Sequence, residues 1–229
     1  MTQQLKGPSR TAPSISHHEA PVRGEQTRGE QTRGEQTRST VLAAAISRFG
    51  RDGFRSTSVT DIAREAGVGG TVAYAYFENK EALFLAAFDE DVTQLMASGL
   101  ASAESNRDQP EWQLRLFTTL LQGVAHHPLA GRVLAGLEPG LAPRLVDMPA
   151  LQELRRVVGE RIAAGQADGT VRSDIEPELV GNGVVALLLS LLVSVVQLGE
   201  ESVGDHADAV ISVFNAALNP IVTVAPVTR

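Results

Sequence analysis

Few residues in this chain could do covalent or metal chemistry, and their spacing is wrong for it. Cysteine is absent, which excludes disulfides and Cys-based zinc sites. Five histidines offer no paired spacing from which a catalytic triad could be named. His126 and His127 are adjacent, so on a helix they point about 100° apart and make a poor ligand pair. His17 and His18 fall in a polar tail and are read as part of its composition. The chain holds no HExxH, GxxxxGK[ST] or GxSxG. Gly67–Val68–Gly69 fails as a dinucleotide loop, because Val72 stands where the third glycine belongs and no strand precedes it. No enzyme activity, cofactor or metal is therefore expected. Hydrogen-bond donors gather instead between Thr57 and Lys80: Thr57, Ser58, Thr60, Thr71, Tyr74, Tyr76 and the Lys80 ammonium. Hydroxyls and a cation in one short stretch suit non-covalent recognition.

The elements that must position them are legible. In Ser58 to Phe77, SVTDIAREAGVGGTVAYAYF, Val59, Ile62, Ala63 and Ala66 recur at i, i+3, i+4 and i+7. This predicts a helix over Val59–Ala66, with Thr57 or Ser58 as N-cap and Asp61 in the first turn. Gly67 is placed to end it in the left-handed conformation, with Val68 as a buried plug. A second helix is predicted from Gly69 or Gly70 to Phe77, and a third, longer one after Asn79. Two helices this short do not persist alone and must dock on their neighbours. That layout is a helix-turn-helix, whose second helix enters a DNA major groove.

The segment TRSTVLAAAISRFGRDGFRSTSVTDIAREAGVGGTVAYAYFENKEALF resembles the N-terminal DNA-binding domain of the TetR family of transcriptional regulators. The anchors are Arg38, Val41–Leu42, Ala44–Ala45, Phe49, Gly53–Phe54, Thr57, Asp61–Ile62–Ala63, Ala66–Gly67–Val68, Tyr74, Tyr76–Phe77, Lys80 and Leu83. The resemblance implies that Tyr74 and Tyr76 bind phosphates through their hydroxyls and that Lys80 does so as a point charge. It also implies that Thr57, Ser58 or Thr60 grips the backbone at the start of the first short helix. Phe77 is expected to be core. Base reading departs from the family, because Gly69, Gly70 and Ala75 stand where it often places polar or basic side chains. Gly70 and Thr71 remain as candidates; Thr71 can bond a base edge or touch a thymine methyl, and Val72 and Ala75 only the latter. Specificity is then expected to lean on DNA shape, water, Arg55 and Arg64.

Charge is distributed to match. Residues 1–38 carry net +2, 39–80 net +1 and 81–229 net −10, together the −7 of the chain. The acid lies away from the region expected to meet phosphates. Residues 1–34 read as a disordered extension containing three copies of RGEQT, at Arg23–Thr27, Arg28–Thr32 and Arg33–Thr37. The repeat reads mainly as a solvated duplication, and secondarily as an arginine arm reaching DNA; its last copy runs into helix 1, so a third reading is that it simply lengthens that helix. No apolar secretory segment is seen at the N-terminus, and the run Val184–Val196 is shorter than the ~20 residues that cross a bilayer, so a cytoplasmic protein is expected.

Overall the expected fold is all-α, with a three-helix DNA-binding domain over 35–95 (motif 58–77) and a helical ligand-binding and dimerisation domain over 96–229. Helix 1 is expected over Gln36–Arg51 and helix 4 from Asn79 to about Ala101. Beyond a loose stretch at Ser102–Pro110, further helices are expected near Glu111–His126, Leu129–Leu137, Pro149–Gln166, Glu176–Gly199 and Asp205–Asn219. The resemblance implies a homodimer closed by the last two helices; Leu187, Ser190, Leu191, Ser194, Val210 and Phe214 are the candidate interface. Trp112, Leu116, Phe117, Leu120, Val133, Leu137, Met148, Leu151 and Leu187 are candidates for lining a ligand pocket, with Arg115, Gln122 or Glu138 orienting a polar group. The expected partners are double-stranded operator DNA, a small molecule and a second copy of the chain, with no membrane. The family's usual behaviour implies a repressor released by its ligand. The alternative is a helical protein-interaction module that has lost DNA binding.

Overall fold

Helical periodicity becomes helix at nearly every predicted place. The computed structural model describes residues 23–105 and 112–219, with side chains described for 33–105, 112–199 and 209–219. The chain divides into two units, Met1–Thr37 and Arg38–Arg229. Among the described residues there is no strand. The helices are α1 (Arg23–Ser56), α2 (Val59–Glu65), α3 (Val72–Tyr76), α4 (Lys80–Ser105), α5 (Trp112–Val124), α6 (Pro128–Leu134), α7 (Ala142–Asp147), α8 (Pro149–Asp168), α9 (Pro177–Leu198) and α10 (Glu200–Leu218), with a 3-10 turn at Pro139–Leu141.

Besides α3, described below, three elements differ from expectation. The described part of the first unit, from Arg23, is helical rather than disordered. Arg, Glu and Gln are good helix formers, and each repeat's Glu stands three residues before the next Arg, a favourable helical spacing. Residues 1–22 lie outside the described residues. Second, α7 and the turn before it were not foreseen; Pro139 and Pro143 stand at their first positions, where proline is tolerated. Third, α10 starts at Glu200, five residues before the expected Asp205.

Gly53 has φ 79° and ψ 168°, which breaks α1 and lets Phe54 turn back. Phe54 and Phe84 lie 4.8 Å apart, and Phe49 meets Phe84 edge-on at 4.9 Å. Val41, Leu42, Ala45 and Phe49 of α1 join Ile62, Ala63, Ala73, Phe77 and Leu83 in one buried cluster. That cluster continues along α4 into the larger bundle, where α8 packs chiefly on α9 and α4 chiefly on α5. At the α8–α9 crossing a Cβ on Gly181 would lie 2.9 Å from the Gly159 backbone, so this contact requires glycine.

Two polar ties join α6 to the helices around it. Asp91 sits on the inward face of α4, 1% exposed. Its carboxylate accepts the Leu129 and Ala130 N–H groups at 3.0 and 2.8 Å, and pairs with His127 Nδ1 at 2.9 Å. It thereby satisfies the orphan donors of the first turn of α6. Glu138 Oε1 accepts both Arg132 Nε at 2.9 Å and the Phe54 N–H at 3.1 Å. Glu138 is thus engaged with the break in α1, and Arg115 and Gln122 are exposed.

α9 is longer than the run Val184–Val196, since Leu179, Val180 and Leu198 extend it. At 22 residues it is long and apolar enough to span a bilayer by length and composition alone. In the structure Val184, Val185, Leu188, Leu191, Leu192 and Val195 are buried in the bundle.

Candidate nucleic-acid interface

The helix-turn-helix is built by α2, the turn at 66–71 and α3. Ser58 caps α2: its hydroxyl accepts the Asp61 N–H at 3.1 Å and donates to Asp61 Oδ2 at 2.6 Å. That donation, with Arg64 and Arg48 nearby, holds the Asp61 carboxyl below the usual carboxylate range. At the other end Gly67 takes φ +69°, while the Val68 N–H bonds Ala63 O at 3.0 Å and the Gly67 N–H bonds Arg64 O at 3.2 Å. This is a Schellman ending, and it depends on glycine at that position. α2 is held against α1 by Glu65, which accepts from Ser47 at 3.0 Å and from Arg51 at 3.4 Å.

α3 is shorter than expected. It begins at Val72, with Thr71 before it in a helical conformation, and the Val72 N–H bonds Gly69 O at 2.9 Å. The two glycines delay the helix, as their backbone entropy predicts. Inward, Ala73 is fully buried and Phe77 nearly so. Outward stand Gly69, Gly70, Thr71, Tyr74 and Ala75, with Tyr74 53% exposed. No Cβ placed at Gly70 would meet an atom within 4 Å, so the backbone there is openly presented.

Most of the expected DNA-contact residues keep some exposure. Thr60, Thr71 and Tyr74 are exposed and Tyr76 is half-buried. Lys80 opens α4 with its ammonium 4.3 Å over the Phe54 ring, so it is anchored rather than free. Ser58 is exposed, with its hydroxyl committed to the cap. Thr57 is the correction. It is 2% exposed, and its hydroxyl donates to Gly53 O at 2.9 Å. Its side chain closes the break in α1 and does not reach a phosphate. Arg38 was read only as a family anchor; its guanidinium lies 5.3 Å over Phe77 and braces the back of α3.

The expected pocket residues are spread over core, surface and groove. Leu116, Phe117, Leu120, Val133 and Leu151 are buried core. Trp112 packs under Arg161 at 4.5 Å. Leu137 and Leu187 are exposed, at 59% and 42%. Only Met148 of that set lines the open groove of about 610 Å³ found between α4 and the α7–α8 junction. Among the expected interface residues, Leu191 and Phe214 are buried within the protomer and cannot form a contact surface. Leu187 and Ser190 are exposed, and Ser194 and Val210 half-buried. Ser190 and Ser194 bond the carbonyls of Ala186 and Ser190, each at 2.9 Å, so their polarity is already satisfied. Val203 lies outside the described side chains.

The match to known proteins falls on the same residues. Positions 41–87 match the family described as bacterial regulatory proteins, tetR family. That stretch carries a tetR-type helix-turn-helix domain. No curated protein sequence matches the chain significantly. Solved structures share its fold at low identity. A protein from Pectobacterium atrosepticum described as a TetR-family transcriptional regulator superposes with a TM-score of 0.64 at 17% identity, covering 82% of this chain and 96% of its own. A Shewanella sp. PV-4 protein assigned to the same regulators gives 0.56 at 23% identity, covering 80% and 98%. A structure titled as the molecular basis for control of antibiotic production by bacterial hormones gives 0.55 at 20% identity, covering 80% and 98%.

Proposed function

We propose that the protein is a homodimeric repressor that holds an operator duplex and lets it go when a small molecule enters its helical bundle. The observation that carries the DNA-binding part is the face just described: Thr60, Thr71, Tyr74 and the open Gly70 backbone point outward, while Ile62, Ala63, Ala73 and Phe77 lock α2 and α3 from behind. In this reading residues 35–95 form the DNA-binding domain and 96–229 the sensor and dimer domain. Tyr74, Tyr76 and Lys80 position the protein on phosphates, and Thr71 with the N–H groups near Gly70 reads the groove. Dimerisation uses the outer faces of α9 and α10, where Leu187, Ser190, Ser194 and Val210 lie beside Leu179 and Val213, exposed by 66% and 58%. Two readers are needed because one makes few contacts, and a two-fold dimer places them about 34–36 Å apart, on successive major grooves. The fold neighbour concerned with hormone control of antibiotic production supports reading the bundle as a sensor. Ligand and operator then oppose each other reciprocally, by roughly 1–3 kcal/mol of coupling. The protein acts in the cytoplasm, without a membrane partner.

A second reading keeps its own observation: Gly69, Gly70 and Ala75 offer no side-chain donor on the exposed face of α3, which suits a protein-contact surface. A gel shift on the duplex upstream of the protein's own coding region separates the two. Binding that weakens steeply with salt supports the repressor; absence of binding at low salt supports the protein-contact module.

A further inference from the structure

The groove between α4 and the α7–α8 junction has a chemistry of its own. Asp89, Thr93, Ala97 and Leu100 recur at i, i+4, i+8 and i+11, so one stripe of α4 forms a wall. Met148, Pro149 and Ala150 form the opposite wall. The floor is aliphatic and no aromatic ring lines it. Four charged residues stand around it: Asp89, Asp147, Glu153 and Arg144. Arg144 is already committed, since its guanidinium grips Asp89 with two hydrogen bonds, Nε to Oδ1 at 2.9 Å among them. Glu153 is held by Arg156. Asp147 makes no ion pair among the described residues; its carboxylate stands exposed beside the apolar floor.

This balance selects a ligand class. An anionic guest would meet three carboxylates and a guanidinium that is already engaged. The first turn of α8 offers it the Ala150 N–H alone: Pro149 has no N–H, and the Leu151 and Gln152 N–H groups both donate to Met148 O, at 3.0 and 3.1 Å. A cationic guest meets a lining of three acids and one arginine, with Asp147 making no ion pair among the described residues; Arg155, outside the lining, donates to Val146 O at 3.2 Å. A volume of about 610 Å³ lies within the range of small-molecule sites.

We propose that this groove binds a small amphipathic cation, its aliphatic body on Ala97, Leu100 and Met148 and its charged head at Asp147. The inference rests on the ligand-responsive reading above and names the ligand class. It also gives the guest a lever, since α4 is both a groove wall and, at Lys80, Leu83 and Phe84, part of the DNA reader.

Calorimetry on the full-length protein tests this with octyltrimethylammonium, octanoate and octanol as probes. The ammonium compound is expected to bind more tightly than the other two. Asp147→Asn should weaken it about two- to fivefold, the range of an exposed ion pair, while Glu90→Gln, a matched charge loss outside the groove, leaves it unchanged. Ala97→Trp, which fills an exposed site, should abolish binding. Octanoate binding as tightly as the ammonium compound, or Ala97→Trp binding like the parent, overturns the proposal. Anisotropy of a labelled operator duplex separates the two levels. A protein that holds duplex but ignores the cation refutes the groove alone. One that binds the cation with no loss of duplex keeps the groove and refutes ligand-controlled release.

Discussion

At the scale of single residues, exposure divides the hydroxyls of the reader into two jobs. Thr57 and Ser58 serve the fold, whereas Thr60, Thr71 and Tyr74 are exposed and Tyr76 is half-buried. Ser58→Ala should therefore cost about 1 kcal/mol of stability through the lost cap, read as a lower midpoint in urea unfolding. Asp61 sets the sign of the pH dependence there. Its pKa is lowered in the folded state from the ordinary 3.8, so its contribution is present above that value and fades as pH falls through the lowered one. The Ser58→Ala deficit should be visible at pH 7 and shrink near pH 3. Lys80→Ala should weaken binding to all duplexes alike and reduce the salt slope by about one, and Thr71→Ala should change preference among sequences. An unchanged slope in Lys80→Ala would refute the phosphate assignment. The spacing of anchors made the face legible, because i, i+3, i+4 recurrence says which side chains point inward. The loss of Thr57 from that face was not legible, since a threonine before a helix reads equally as a cap, a clamp or a donor.

At the scale of elements, α6 was foreseen as a helix, but the polar ties that hold it were not. Its first turn is satisfied by Asp91 from α4, and its end is tied through Arg132 and Glu138 to the break in α1. A signal for Asp91 was present, because it falls between Phe88, Val92 and Leu95 on an otherwise apolar stripe. A charge inside such a stripe must have partners. Asp91→Ala should destabilise the protein by roughly 3 kcal/mol, since it leaves two buried N–H groups unpaired; thermal or urea unfolding measures it, and a loss under 1 kcal/mol would contradict the assignment. Gly53→Ala is expected to be at least as harmful, because a Cβ would lie 2.4 Å from the Arg132 guanidinium and φ is positive. α7 escaped notice for a local reason: prolines stop a helix in its interior but start one at its first turn, and sequence alone does not say which applies.

At the scale of the molecule, the all-α architecture and the reader were legible, and the enclosed pocket was not. Apolar residues at helical spacing announce burial, but burial against a neighbour and burial around a ligand leave the same pattern. Leu116, Phe117 and Leu120 turned out to be packing, while the open groove uses Ala97 and Pro149, which carry no such signature. The same ambiguity separates Leu191, inside the protomer, from Leu187, outside it. Leu187→Glu should yield monomers at micromolar concentration with helix content intact, measured by sedimentation and far-ultraviolet circular dichroism. The most direct test of the account is the stoichiometry and salt dependence of binding to the upstream duplex, followed by anisotropy. Two chains per duplex, with affinity falling linearly on a double-logarithmic salt plot, is the predicted result; a single chain bound, or no binding at low salt, would contradict it.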